Sequence, residues 1–126
     1  KASKTIIPTK IYSFDKTSSA STRTIFDKTI NVKGIGFIIL NAVIRCDSTN
    51  DYGSTELNCL LDNEMYSSSY MRRTEPDNIE DSVNVTFAYY FDTEMSQSIR
   101  FYGGSTKNGS KTFKIHGIYS DSLSLS

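Results

Sequence analysis

The chain has 126 residues, 14 of them basic and 14 acidic. That length suits one domain with its own core, and that balance lacks the overall field through which proteins hold nucleic acid nonspecifically. Isoleucine outnumbers alanine and leucine together, 8 tyrosines accompany 7 phenylalanines, and serine and threonine make up about a quarter of the residues, the usage of pleated sheets. No run approaches the ~18 apolar residues that would cross a bilayer, and no charged-then-apolar amino terminus reads as a signal peptide, so membrane insertion is not expected.

Read in chain order, the first strand candidate is Ile6 to Phe14. Pro8 removes a ladder donor and confines it to an edge or an entry. Lys16 to Thr22 reads as a polar loop, and Thr24 to Val32 as a strand with Phe26, Ile30 and Val32 on one face. Gly34 and Gly36 mark a turn or bulge before the run from Phe37 to Cys46. In that run Ile38, Leu40, Ala42, Ile44 and Cys46 share one face. The other carries Phe37, Ile39 and Val43, interrupted only by Asn41 and Arg45. A strand that is apolar on both sides asks for two covers, and the second must come from a packed sheet, a loop or another copy of the chain.

Asp47 to Thr55 has the composition of an exposed loop, Glu56 to Leu61 of a strand, and Asp62-Asn63 of a tight turn, because both residue types tolerate positive φ. Met65 to Arg73 follows as a weaker strand, then a loop from Thr74 to Asn78. Ile79 to Phe91 alternates cleanly, with Val83, Val85, Phe87, Tyr89 and Phe91 on one face. Asp92 to Ser98 offers the one short stretch that could turn as helix. Ser96 to Tyr102 and Thr112 to Tyr119 complete the set, joined by a hairpin loop over Gly103 to Ser110, and the tail from Ser120 is an extended end or unstructured. About eight antiparallel strands at this spacing predict an all-β, two-sheet jelly-roll sandwich over residues 1–126. Cys46 and Cys59 fall in apolar strands and read as small buried hydrophobes more readily than as a disulfide.

Two stretches, Phe26 to Ile38 and Glu56 to Glu64, pair an extended strand and a glycine-containing entry with a strand that ends in Asp and a turn residue. They resemble carboxy-terminal jelly-roll domains of bacteriophage tail fibre and receptor-binding proteins. The closing run Phe113 to Tyr119 is similar to the last strand of such domains. The resemblance implies a homotrimeric virion tip at the end of a longer chain, binding a bacterial surface glycan or protein. A start at Lys1 rather than Met agrees with a piece of a longer parent. Phe37, Ile39, Val43, Tyr90 and Tyr102 are the candidate oligomer contacts. Two alternatives stand beside it: a carbohydrate-binding module of a secreted, extracellular bacterial enzyme, and a structural virion cap without ligand.

Catalysis has little to work with. His116 is the only histidine, between Ile115 and Gly117, with no neighbouring nucleophile pattern. The acid pairs Asp62 with Glu64 and Glu80 with Asp81 read as solvated rim charges. Asp47, Asn50 and Asp51 could offer oxygens to Ca²⁺, yet their spacing fits no EF-hand and such residues are common in turns, so no metal or cofactor is expected. Sugar binding is the sharpest expectation. Tyr52, Tyr66 and Tyr70 present rigid rings with polar tips, and Arg72 and Arg73 present planar donors, all on loops or the weak strand.

Overall fold

A computed structural model describes residues 8–18, 24–46, 51–77 and 80–126. They form nine strands: β1 Thr9–Ser18, β2 Thr24–Val32, β3 Gly36–Cys46, β4 Asp51–Leu61, β5 Glu64–Asp77, β6 Asp81–Phe91, β7 Met95–Ser105, β8 Lys111–Ser120 and β9 Leu123–Leu125. The sheets run β1-β8-β3-β6 and β5-β4-β7-β2-β9.

The topology is that of a rolled ribbon. Its tip is the turn at Asp62 and Asn63, whose φ values of 50° and 65° are the double left-handed pair that matches strand twist. From that tip β4 pairs with β5, β3 with β6, β2 with β7 and β1 with β8, all antiparallel. Pairing of β3 with β8 and of β4 with β7 then divides the ribbon into two facing sheets, the wrap of a jelly roll. Asp62 secures the tip to β7: its amide donates to the Ser98 carbonyl at 3.0 Å, and its Oδ1 accepts the Ser98 amide at 3.0 Å.

Period-two patterning puts one row of each central strand between the sheets. Ile38, Leu40, Ala42 and Ile44 of β3, Val83, Val85 and Phe87 of β6 and Phe113 and Ile115 of β8 face Phe26 and Ile30 of β2, Leu57 and Cys59 of β4 and Ile99 and Phe101 of β7, all buried. Each large side chain so buried contributes about 1.5–3 kcal/mol. Cys46 and Cys59 are both buried and unbridged. Burial pushes the Cys59 thiol up to about 12, against a smaller opposing effect of its hydrogen bond with Ser67.

Several boundaries differ from the sequence reading. β1 continues through Ser18, β4 begins at Asp51, β5 continues to Asp77 and β7 to Ser105, each into residues whose composition suggests loop. Met95 to Ser98 is strand, not helix. The tail forms the ninth strand, with Leu123 buried against the core and Leu125 opposite Ile30. The edge position of β1, with Pro8 just ahead of it, is the one its proline requires.

The outward row of β3 is not sealed by its own chain. Ile39 is 44% exposed and pairs with Ile118 of β8, which pairs with Ile11 of β1, while Phe37 lies opposite the exposed Tyr90. These side chains make an apolar strip across the outside of the four-stranded sheet. Tyr102 is elsewhere: it alternates with the buried Phe101 and so faces outward from the five-stranded sheet. The five expected contact residues therefore do not share one surface.

Candidate functional site

Where β4 and β5 run side by side towards the end of the five-stranded sheet, a cleft of about 450 Å³ opens. Its walls are Tyr52, Gly53 and Ser54 of β4, Tyr70, Arg72, Arg73 and Thr74 of β5, and Thr106 just beyond β7. Four of the five residues singled out for sugar binding thus meet in one place. Antiparallel pairing brings them there, with Gly53 opposite Arg73 and Ser54 opposite Arg72.

The floor is tied down by backbone. Thr106 donates its amide to the Ser54 carbonyl at 2.9 Å, and its Oγ1 accepts the Ser54 amide at 2.9 Å. Gly53 stands at a register irregularity with φ of 144°, and a Cβ there would lie 2.3 Å from Thr106 Oγ1. Only glycine lets the two segments approach so closely.

The two arginines part company. Arg72 is exposed on the outward side of β5, as are Tyr70 at 59% and Tyr52 of β4 at 61%. Arg73 belongs to the inward row, where its Nε donates to Asp81 Oδ1 at 2.5 Å. Asp81 is fully buried at the start of β6, and its Oδ2 is 3.3 Å from Nζ of Lys107, also fully buried. Beside this cluster Thr55 Oγ1 donates to Ser105 Oγ at 2.9 Å, and Ser105 Oγ accepts the Lys107 amide at 3.2 Å.

Asp81 is therefore not the rim charge its neighbour Glu80 suggests. Alternation carried one step back from Val83 and Val85 puts residue 81 in the inward row, and that signal was available in the sequence. Glu80 is a surface charge, paired with Arg45 at 2.7 Å where both side chains are half exposed. Lys107 lies in the span expected to be a flexible hairpin tip. Its burial had no local signal, because what buries it is the approach of β4 and β5.

Tyr66 stands apart from the cleft. The register between β4 and β5 shifts between Cys59 and Leu60, which leaves Tyr66 as the extra residue of a bulge. Its ring packs edge-on against Phe87 at 4.9 Å and its hydroxyl donates to the Ala88 carbonyl at 2.6 Å. With Ser67 Oγ reaching the Thr86 carbonyl at 3.5 Å, it covers the open edge of β6, a device that protects a sheet edge from adding another strand.

The other candidates are scattered. His116 is exposed on the four-stranded sheet, opposite Ser13 and Asn41. Asp62 and Glu64 flank the ribbon tip. Asp47 and Asn50 lie outside the described residues, as does the side chain of Asp51. Among the described residues no cluster of three or more histidines, cysteines or acids is placed to hold a metal.

No protein-family model and no curated protein matches the sequence. Among solved structures, the C-terminal domain of EclA, described as a sugar-binding protein, gives a TM-score of 0.41 at 12% identity over 99% of this chain and 83% of that one. A family 35 carbohydrate binding module from an environmental isolate gives 0.36 at 12% identity over 96% of this chain and 72% of that one. A chain of infectious bursal disease virus, Gx strain, gives 0.34 at 14% identity over 89% of this chain and 31% of that one. None of these is described as a phage tail protein. The resemblances are distant, and the functional reading is built on the cleft alone.

Proposed function

We propose that this chain is a noncatalytic glycan-binding β-sandwich and that the cleft between β4, β5 and Thr106 is its sugar site. The supporting observation is that exposed Tyr52 and Tyr70 converge with Arg72 on a strand pair held rigid by backbone bonds. An exposed tyrosine offers an apolar face to a sugar ring and a hydroxyl to its oxygens, and two χ angles leave little entropy to lose. The arginine supplies planar donors for hydroxyls.

Of the settings open from the sequence, a binding module within a longer secreted bacterial chain fits this site best, since one copy provides the whole cleft. A virion tip would use the same cleft in several copies. A multimer formed through the Ile11, Ile118 and Ile39 strip would leave the cleft open, because the strip lies on the opposite sheet.

A glycan array read with the wild-type chain and with Tyr70→Ala tests the proposal. The expected result is retention of a defined glycan set by wild type and a loss of about tenfold or more in the variant, roughly 1.4 kcal/mol. The thermal midpoint should not move, since the ring is mostly exposed. A blank array, or equal binding by Tyr70→Ala, would contradict the assignment.

A further inference from the structure

The outward face of the four-stranded sheet is uneven in a regular way. Ile11, Ile118, Ile39 and Ala88 make one row across β1, β8, β3 and β6, each standing opposite the next in register. At the β1 end of that row Ile11 is 87% exposed. At the β6 end the small Ala88 lies in an apolar hollow of about 360 Å³, walled by Phe37, Ile39, Tyr89 and Tyr90. A bump and a hollow at equal distances from the midline between β8 and β3 are what an isologous contact needs, since it must be complementary to itself.

We infer that a second copy of this chain covers this face, turned about a two-fold axis that runs along the strands between β8 and β3. That rotation lays β1 on the partner's β6 and β8 on the partner's β3. Ile11 then enters the hollow beside the partner's Ala88, Ile118 meets the partner's Ile39, and each contact occurs twice. Further along the strands, Asp15 comes over the partner's Asn84, Lys114 over the partner's Val43 and Arg45 over the partner's Thr112, so no like charges are set against each other. Four strands about 4.8 Å apart and about 34 Å long give about 650 Å² per copy, or about 1,300 Å² in the pair, within the range of specific interfaces. An axis along the strands keeps every residue at its height. On the reading of the cleft as a sugar site, the pair therefore offers two such sites, level with each other and on its outer sheets.

Sedimentation velocity without sugar, from about 1 to 200 μM, tests the pairing. The expected particle at the upper concentrations has twice the 14.1 kDa of one chain. Ile11→Glu and Ala88→Leu should each weaken the pair about tenfold or more, the first by removing the bump and the second by filling the hollow, with the circular dichroism spectrum unchanged. Tyr102→Ala, on the other sheet, should leave it intact. The axis is read by oxidising the double variant Ile11→Cys with Ala88→Cys. Those positions are three strand spacings apart within one chain, about 14 Å and too far to bridge, so a disulfide must join two copies. The double variant should give a covalent dimer and Ile11→Cys alone should not. A monomer at every concentration, a trimer, or an assembly indifferent to both Ile11→Glu and Ala88→Leu would overturn the inference and leave the cleft assignment standing. Crosslinking of the single variant as readily as the double would overturn the axis.

Discussion

Asp81→Ala is expected to destabilise the protein by about 3–5 kcal/mol, while Lys107→Met is expected to stay within about 1 kcal/mol of wild type. The asymmetry follows from the charge count. Removing Asp81 takes from the fully buried Lys107 the carboxylate beside it and from Arg73 a hydrogen bond, which is the costly way to break a buried ion cluster. Removing Lys107 leaves the Arg73 to Asp81 bond at 2.5 Å intact, and methionine fills the same channel with a flexible apolar chain. Urea unfolding of the two variants checks this, and the Asp81→Ala midpoint in a thermal scan should fall by about 10–20 °C. If Lys107→Met were as damaging as Asp81→Ala, the lysine would be doing more than sharing a carboxylate already satisfied by Arg73.

Phe101→Ala is expected to cost a similar amount, about 3–5 kcal/mol, by a different route. Phe101 is fully buried at the middle of β7, with Phe26 of β2 at 5.8 Å and Phe113 of β8 at 6.2 Å between ring centroids. Phe14 of β1 closes the group, at 5.3 Å from Phe26 and 6.1 Å from Phe113. These rings come from both sheets, so the cavity left by truncation would open at the seam that joins them, where β-sheet backbones adjust little. Tyr102→Ala, one residue on and facing outward, is the control and should lose under about 1 kcal/mol by the same denaturation measurement. Comparable losses at 101 and 102 would mean that the inward row has been misassigned.

The legible parts of this fold are those with local causes. The core rows of β3, β6 and β8 follow from alternation, and the ribbon tip follows from Asp62-Asn63, whose side chains suit positive φ. The extensions of β4 at Asp51 to Thr55 and of β5 at Thr74 to Asp77 had no such mark. Strand ends pair through backbone, which polar residues provide as well as apolar ones. The pairing of β1 with β8 depends on how the ribbon rolls, and no neighbouring residues encode that.

The tyrosines and arginines of the cleft stood out in the sequence by residue type, but their meeting in one place did not. The hairpin grown from the Asp62-Asn63 turn brings the start of β4, whose residues 51–55 read as loop, beside the arginines of β5, and this gathers Tyr52, Tyr70, Arg72 and Arg73. The bulge at Tyr66 was not visible in the sequence, and a one-residue shift exchanges the faces of a strand. It is this bulge that sends Arg73 inward to Asp81 and turns Arg72 to the outward face. The expected second cover of β3 is the part that one copy of the chain does not supply, since Ile39 remains open to solvent beside Ile118.

Backbone chemical-shift mapping during titration with the best glycan from the array tests the central claim most directly. The largest shifts should fall on Tyr52, Gly53, Ser54, Tyr70, Arg72 and Thr106, with the strip around Ile39 and Ile118 unmoved. Shifts centred on that strip, or on the far end of the sandwich near Asn31 and Ser96, would contradict the cleft as the place where this protein binds.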